Sequence, residues 1–337
     1  MIFVKYNSLE NHYRQNVIDA FVNAGYTAPG VDWVVMEKLH GTNFQLAVDE
    51  SHVQAGRRTD LLGDFDQFFE ADLIVKRYEE KAREVFNEIK LCIDNVTQIT
   101  IFGEYAGNLT SGKKIQKEVE YGDQDFYVFD IMVFVEGEES GYYLHHDAVM
   151  ELIKNKFKHA PVIYIGDFDG VTKLPNDFQS IVIQIQSNKA GKFGLVEGTD
   201  NIAEGFVAKT ANVVYTRFGR AIFKSKNSKF TEKGKSDKPV KVKEPLGESD
   251  LEMVHEIAEY LNVNRLKNVL SKIGIPTTKE FGKVAGNLSK DAIEDYTKDT
   301  EKSLRDADRP SDVGKAVNNL AGELVRDNWM NILDGNF

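Results

Sequence analysis

Trp33-Val34-Val35-Met36-Glu37-Lys38-Leu39-His40-Gly41-Thr42-Asn43-Phe44-Gln45-Leu46-Ala47-Val48-Asp49 reads as two strands joined by a short turn. The first is an apolar run that ends near Lys38, and Gly41 supplies the turn. From Phe44 to Asp49 apolar and polar side chains alternate with the period of two that a half-buried strand shows. A lysine beside a turn is ordinarily solvated, so the meaning of Lys38 depends on what the rest of the chain brings to it.

Working outward, further strands are predicted at 99–102, 126–131, 202–209 and 221–226, where β-branched and aromatic residues cluster. Between them Ile74, Tyr78, Ala82, Val85 and Ile89 recur at steps of three and four, the apolar stripe of one helix. Mixed antiparallel strands and helices make an α+β domain. A basic stretch from Thr231 to Pro245 follows, and from Ser249 onward only helical patterns appear. Ser249-Asp250-Leu251-Glu252 has the form of a capping box ahead of a stripe at Leu251, Val254, Ala258 and Leu261, and Thr277-Thr278-Lys279-Glu280 repeats it. Gly274 and Pro276 separate two helical segments. The expected organisation is therefore two domains, 1–244 and 249–337.

Composition narrows the class. With one cysteine, Cys92, in 337 residues, neither an internal disulfide nor a cysteine-based zinc site can form, and a reducing compartment is expected. The seven histidines are scattered and no H-e-x-x-h pattern occurs, which argues against a protein-built zinc centre. No apolar run approaches the roughly 20 residues of a membrane helix, and the first residues lack the pattern of a signal peptide, so a cytosolic, membrane-free protein is expected. A net charge of −11 argues against simple sequence-independent phosphate binding by the whole surface. The charge is unevenly spread, however, and Lys229, Lys233, Lys235, Lys238, Lys241 and Lys243 form a candidate phosphate track.

Companions for Lys38 are present. Glu104 ends the strand at 99–102, Phe129-Asp130 ends another, and Glu204 opens a third. Lys224 and Lys226 alternate on Ala221–Lys226 and so point the same way, an unusual pair on one face of an apolar strand. Gly107 to Lys114 approaches a phosphate-binding loop, but Lys114 replaces the hydroxyl that would hold magnesium, and the stretch reads as a basic surface loop.

Lys38-Leu39-His40-Gly41-Thr42-Asn43, Phe102-Gly103-Glu104, Phe126 to Asp130, Glu204-Gly205-Phe206-Val207 and Lys224-Ser225-Lys226, in that order, resemble the motifs of the covalent nucleotidyltransferases. The chain most resembles the RNA ligase 2 family of phage double-strand RNA-sealing enzymes, relatives of the trypanosome editing ligases. Tyr6 to Tyr13, Lys226 to Phe230, Lys235 to Pro239 and Asn264 to Gly274 add to the likeness, and His40 stands where DNA ligases and capping enzymes usually carry Asp. The loop Asn108–Lys114 is longer than the family's form, and 160–200 matches weakly.

The resemblance implies an antiparallel-sheet, ATP-grasp-like nucleotidyltransferase domain followed by a small all-helical domain that takes part in RNA sealing. It implies ATP and Mg2+ (or Mn2+), and an AMP carried covalently on Lys38 and passed to an RNA 5′-phosphate before a 3′-hydroxyl displaces it. An ordinary lysine is neutral in only about one molecule in a thousand at neutral pH, and nearby cations favour the neutral form that attacks. By the same likeness Lys224 and Lys226 contact the α-phosphate, Glu204 holds the metal, Glu104 contacts the sugar and Phe129 stacks on adenine. Glu37, Lys38 and Leu39 frame the base, and Asn43 and Arg58 lie near the phosphates, whereas Arg57 reads as a surface charge. Lys209, Arg58, Arg265, Asp291 and Asp295 are the expected RNA contacts. The expected partner is RNA with 5′-phosphate and 3′-hydroxyl ends at a duplex nick, met by a monomer in the cytoplasm of a phage host. DNA ligation or mRNA capping is the competing reading, and a non-catalytic RNA-binding module a third.

Overall fold

The structure, a computed structural model, describes residues 1–187, 195, 200–230, 244–274 and 276–334. The chain divides into two compact units, Met1–Val242 and Lys243–Phe337.

The two strands of the opening stretch do not form a hairpin. Trp33–Glu37 lies in a five-stranded sheet, flanked by Gly205–Thr210 and Val162–Gly166, with Ile222–Lys226 and Glu10–Asn11 beyond. Thr42–Asp49 lies in a second sheet, between Val53–Arg57 and Val96–Ala106, and Asp125–Val135, Tyr142–Tyr143 and Lys158–His159 complete it. The turn at 38–41 thus crosses from one sheet to the other. It can do so because Gly41 presses against the Tyr105 carbonyl, where any Cβ would collide.

Each sheet buries its outer face. Ile74, Tyr78, Ala82, Val85 and Ile89 of the helix Ala71–Cys92 all lie inside, against Phe44, Leu46, Ile99, Ile101 and Phe126, as the periodicity requires. Each Val, Ile, Leu or Phe among them contributes about 1.5–3 kcal/mol by leaving water. On the other sheet Trp33, Val35, Phe206 and Phe223 pack on Val17, Ile18 and Phe21 of the helix Gln15–Asn23. The inner faces of both sheets border a common cavity.

Two local departures shape that cavity. The strand expected from 202 starts only at Gly205, whose φ of +134° and contact with the Ser225 carbonyl exclude a side chain, leaving Glu204 just ahead of it. In Asp125–Val135 the register shifts opposite Phe102/Gly103: Val128 faces Gly103 and Asp130 faces Phe102. Phe126 and Val128 point into the helix-covered core before this bulge, and Ile131 and Val133 after it. Phe129 and Asp130 are therefore both turned toward the cavity side.

The second unit contains, among the described residues, four α-helices, Glu248–Ala258, Val263–Ile273, Phe281–Thr300 and Pro310–Leu333, and no strand. The expected box at Ser249 does not cap its helix, which begins earlier at Glu248. Asp250 is instead fully buried and accepts from the backbone N–H groups of Asp308 and Arg309 (2.9 and 3.0 Å), anchoring the segment that leads into the helix Pro310–Leu333. That inward turn leaves Leu251 42% exposed, while Met253, Val254 and Ile257 form the buried stripe. Glu280 does reach back to the Thr277 N–H (2.9 Å), but in a turn ahead of the helix Phe281–Thr300. Lys229 is exposed within the short 3-10 turn Ser228–Phe230. Lys233, Lys235, Lys238, Lys241 and Lys243 lie outside the described residues. Among the described residues no helix is long and apolar enough to cross a membrane.

Candidate active site

A cavity of about 370 Å³ opens between the inner faces of the two sheets, a size suited to a small molecule. Glu37, Lys38, Leu39, Asn43, Arg58, Glu104, Phe129 and Lys224 all border it. These are residues from five separate sequence stretches that the two sheets bring together. Tyr6, Asn7 and Leu9 close one side, held there because Glu10–Asn11 pairs in parallel with Phe223–Lys224.

Lys38 does not face cations alone. Its Nζ donates to Glu204 Oε2 at 2.7 Å, and Lys226 Nζ meets the other oxygen at 2.7 Å. His40 Nδ1 lies 3.2 Å from the same Oε2, and His40 Nε2 lies 2.9 Å from Glu118 Oε2. Burial alone would raise the Glu204 carboxyl, but His40, Lys38 and Lys226 hold it down to about 2. Burial opposes a charged His40, yet its two carboxylate partners raise it above the ordinary histidine value. Lys224 shares the inner face with Ile222 and Lys226, as strand alternation requires, while Phe223 is in the core. Burial, Lys226 and Lys38 lower its affinity for a proton.

Two other carboxyls are raised. Glu104 accepts from the Gly41 N–H at 3.2 Å, and desolvation pushes it up to about 7 against the pull of Lys38. Glu37 is 2% exposed and also raised to about 7 by burial; Ser180 Oγ and the Ile181 N–H donate to it at 2.7 and 2.8 Å. Its carboxyl thus anchors the 180–181 segment, so the part of Glu37 left to frame a ligand is its backbone.

Beneath Phe129 lies a buried ionic cluster. Asp130, with no exposed surface, accepts from Tyr6 Oη (2.6 Å), Lys209 Nζ (2.7 Å) and Arg220 Nη1 and Nη2 (2.9 and 3.1 Å). Lys209 also donates to the Phe129 carbonyl at 2.7 Å. Lys209 is 2% exposed, so its expected contact with RNA is not what this placement serves; its ammonium is turned inward to neutralise Asp130. The Phe129 ring lies 4.8 Å from that of Tyr6 and keeps a partly open face on the cavity.

The neighbours Arg57 and Arg58 separate cleanly: Arg57 is tied bidentately to Asp60 at 2.8 Å, while Arg58 is exposed and borders the cavity. Asn43, on the cavity wall, has its Oδ1 buried without a hydrogen-bond partner among the described residues. In the helical unit Arg265 joins Asp291 (2.6 Å) and Asp295 (2.9 Å), and Lys272 and Lys298 add to the network. The three residues expected to meet RNA there are gathered, with the guanidinium engaged by its own chain.

Sequence reasoning gave no site role to Tyr6, Asp130, Arg220 or Glu118. Asp130 carried a readable signal, since a carboxylate inside Phe126-Tyr127-Val128-Phe129-Asp130-Ile131-Met132-Val133 must find buried cations. Glu118, on an acidic and basic loop, carried none.

A family model described as RNA ligase matches residues 31–226, and one described as T4 RNA ligase 2 C-terminal matches residues 245–323. RNA-editing ligase 2, mitochondrial, of Trypanosoma brucei brucei (strain 927/4 GUTat10.1) is 26% identical over 362 residues, covering 90% of this chain and 85% of its own length. RNA-editing ligase 1, mitochondrial, of the same organism is 25% identical over 338 residues, covering 80% of this chain and 71% of its own. Among solved structures, an apo mutant of a Naegleria gruberi RNA ligase is similar at 19% identity and a TM-score of 0.47, covering 70% of this chain and 59% of that one.

Proposed function

The chain belongs to the RNA ligase family, and from that premise we propose that it is an ATP-dependent RNA ligase working through a lysyl-AMP on Lys38. The observation that carries the reading is the placement of the Lys38 amine on a nucleotide-sized cavity, 2.7 Å from Glu204, with Lys224 on the same wall. The amine attacks the α-phosphorus of ATP, forming a P–N bond as the bond to pyrophosphate breaks. The AMP then passes to an RNA 5′-phosphate, and a 3′-hydroxyl displaces it to leave a phosphodiester.

The chain's own residues have distinct tasks in this account. Glu204 orients the Lys38 amine and Lys226. Lys224, poorly neutralised and aimed inward, stabilises charge developing on the α-phosphate. Phe129 offers a ring face to the purine, the unpartnered Asn43 Oδ1 accepts from the nucleotide, and Arg58 grips phosphate. Among the described residues no group of three or more potential ligands gathers around a metal. Glu204 together with nucleotide phosphates and water is nonetheless a donor set that suits magnesium, which when bound would neutralise phosphate charge.

We place its substrate as RNA with 5′-phosphate and 3′-hydroxyl ends at a nick in a duplex, handled by a monomer. The match of 245–323 to a T4 RNA ligase 2 C-terminal model supports this choice. The trypanosome relatives are mitochondrial by name. For this chain, with one exposed cysteine, we propose the reducing cytoplasm. The test is end-joining of a 5′-labelled nicked RNA duplex with ATP and Mg2+, beside single-stranded RNA and an all-DNA nick. Joining of the RNA nick by wild type and not by Lys38→Ala is expected. Joining by both, or of DNA alone, would contradict the reading.

A further inference from the structure

We propose that the loop 107–124 clamps the nucleophile turn, and that Glu118 is a positioning residue for transfer of AMP to Lys38. This rests on the functional reading above and adds to it a residue outside the resembling motifs. The loop touches the turn three times. Tyr121 Oη accepts from the His40 N–H (2.7 Å), Gln116 Nε2 donates to the Gly41 carbonyl (3.4 Å), and Glu118 Oε2 meets His40 Nε2 (2.9 Å). His40 is thereby held by both ring nitrogens, with Nδ1 toward Glu204 Oε2, the oxygen that also holds Lys38.

The loop is built to bear this. Val119 and Tyr121 are buried, anchoring the residues on either side of Glu120. Glu120 accepts from Asn108 Nδ2 and the Gly122 N–H (2.9 Å each) and pairs with Lys114 (2.7 Å). Asn201 and the Glu120 backbone exchange two hydrogen bonds, at 2.8 and 2.9 Å. Buried Ile115, whose N–H donates to the Gly107 carbonyl (3.1 Å), and buried Val119 flank Glu118, which is itself 58% exposed on its side chain. An ion pair so exposed adds little to stability. Its consequence is orientational: without Glu118 the ring is held only by its Nδ1 contact with Glu204 and its edge contact with Phe230, and the group that sets the Glu204 carboxylate is itself less firmly set. Small losses of alignment at a nucleophile are costly in rate.

The experiment is single-turnover adenylylation with ATP labelled at the α-phosphate, over a range of ATP concentrations, for wild type, Glu118→Ala, Glu118→Gln and Lys38→Ala, with thermal melting of each. Glu118→Ala is expected to slow the chemical step about tenfold, with the half-saturating ATP concentration and the melting temperature unchanged. Glu118→Gln, whose amide oxygen accepts the same bond from Nε2, recovers most of the rate. Wild-type labelling matched by Glu118→Ala overturns the clamp alone, as does a Glu118→Gln that is as slow as Glu118→Ala. No labelling of wild type overturns the functional reading and the clamp with it.

Discussion

Phe129 and Asp130 are consecutive in the chain and stand on the same side of their strand. The bulge opposite Phe102/Gly103 breaks the alternation at that one step. It lets an aromatic ring face the cavity while the next residue roots it in a buried ionic cluster. The strand is thus both wall and anchor: Asp130 holds Lys209, Arg220 and Tyr6, and Tyr6 closes the cavity beside Phe129.

Asp130→Asn should be strongly destabilising, because it leaves two buried cations without their carboxylate. The expected loss is about 3–5 kcal/mol in urea unfolding at pH 7. Its neighbours hold the Asp130 carboxyl well below the usual range despite burial. A depressed carboxyl stabilises above its unfolded value, near 4, and that stabilisation is lost as pH falls through the folded value. The gap between wild type and variant should therefore narrow in acid and be widest at neutral pH. A gap independent of pH would contradict the cluster's ionic character.

Glu37 should work in the opposite sense. Its folded carboxyl is raised to about 7, so folding takes up a proton that the unfolded chain has already released. Its contribution is complete below the unfolded value, near 4.3, and is lost as pH rises through about 7. Glu37→Gln, which mimics the protonated form, should shrink the fall in wild-type stability between pH 5 and pH 8 by roughly 2–3 kcal/mol. Denaturant melts at the two pH values check it, and an unaltered slope would show that Glu37 stays ionised in the fold.

Among the described residues Asn43 Oδ1 has no partner, so removing it should cost binding and not stability. Asn43→Ala is expected to weaken ATP binding about 2- to 10-fold, the worth of one ordinary hydrogen bond. Its melting temperature without ligand should match wild type. Calorimetric titration with ATP and thermal melting separate the two effects. A variant that melts far lower but binds ATP normally would mean that the oxygen serves the fold.

Much of this is legible in the sequence. Lys224 and Lys226 share a face because a strand repeats every two residues, and the stripe from Ile74 to Ile89 is buried because a helix repeats every 3.6. The motif resemblance likewise named most of the residues that meet at the cavity. What escaped depends on contacts far apart in sequence. Lys209 reads as a surface lysine until Asp130, 79 residues earlier, is seen beside it. Leu251 fits a helical stripe locally, yet the helix is rotated so that Asp250 faces inward and holds the backbone at 308–309. The bulge at Phe129 falls inside an apolar run, where a slip of one residue leaves no polar mark. The turn at 38–41 looks like a hairpin because local pattern cannot tell which sheet the next strand joins.

Intact protein incubated with ATP and Mg2+ and then digested for peptide mass spectrometry should carry a single adenylyl group on Lys38. Lys38→Ala should carry none. An adduct that forms on another residue, equally in wild type and Lys38→Ala, or no adduct in wild type at all, would contradict the account.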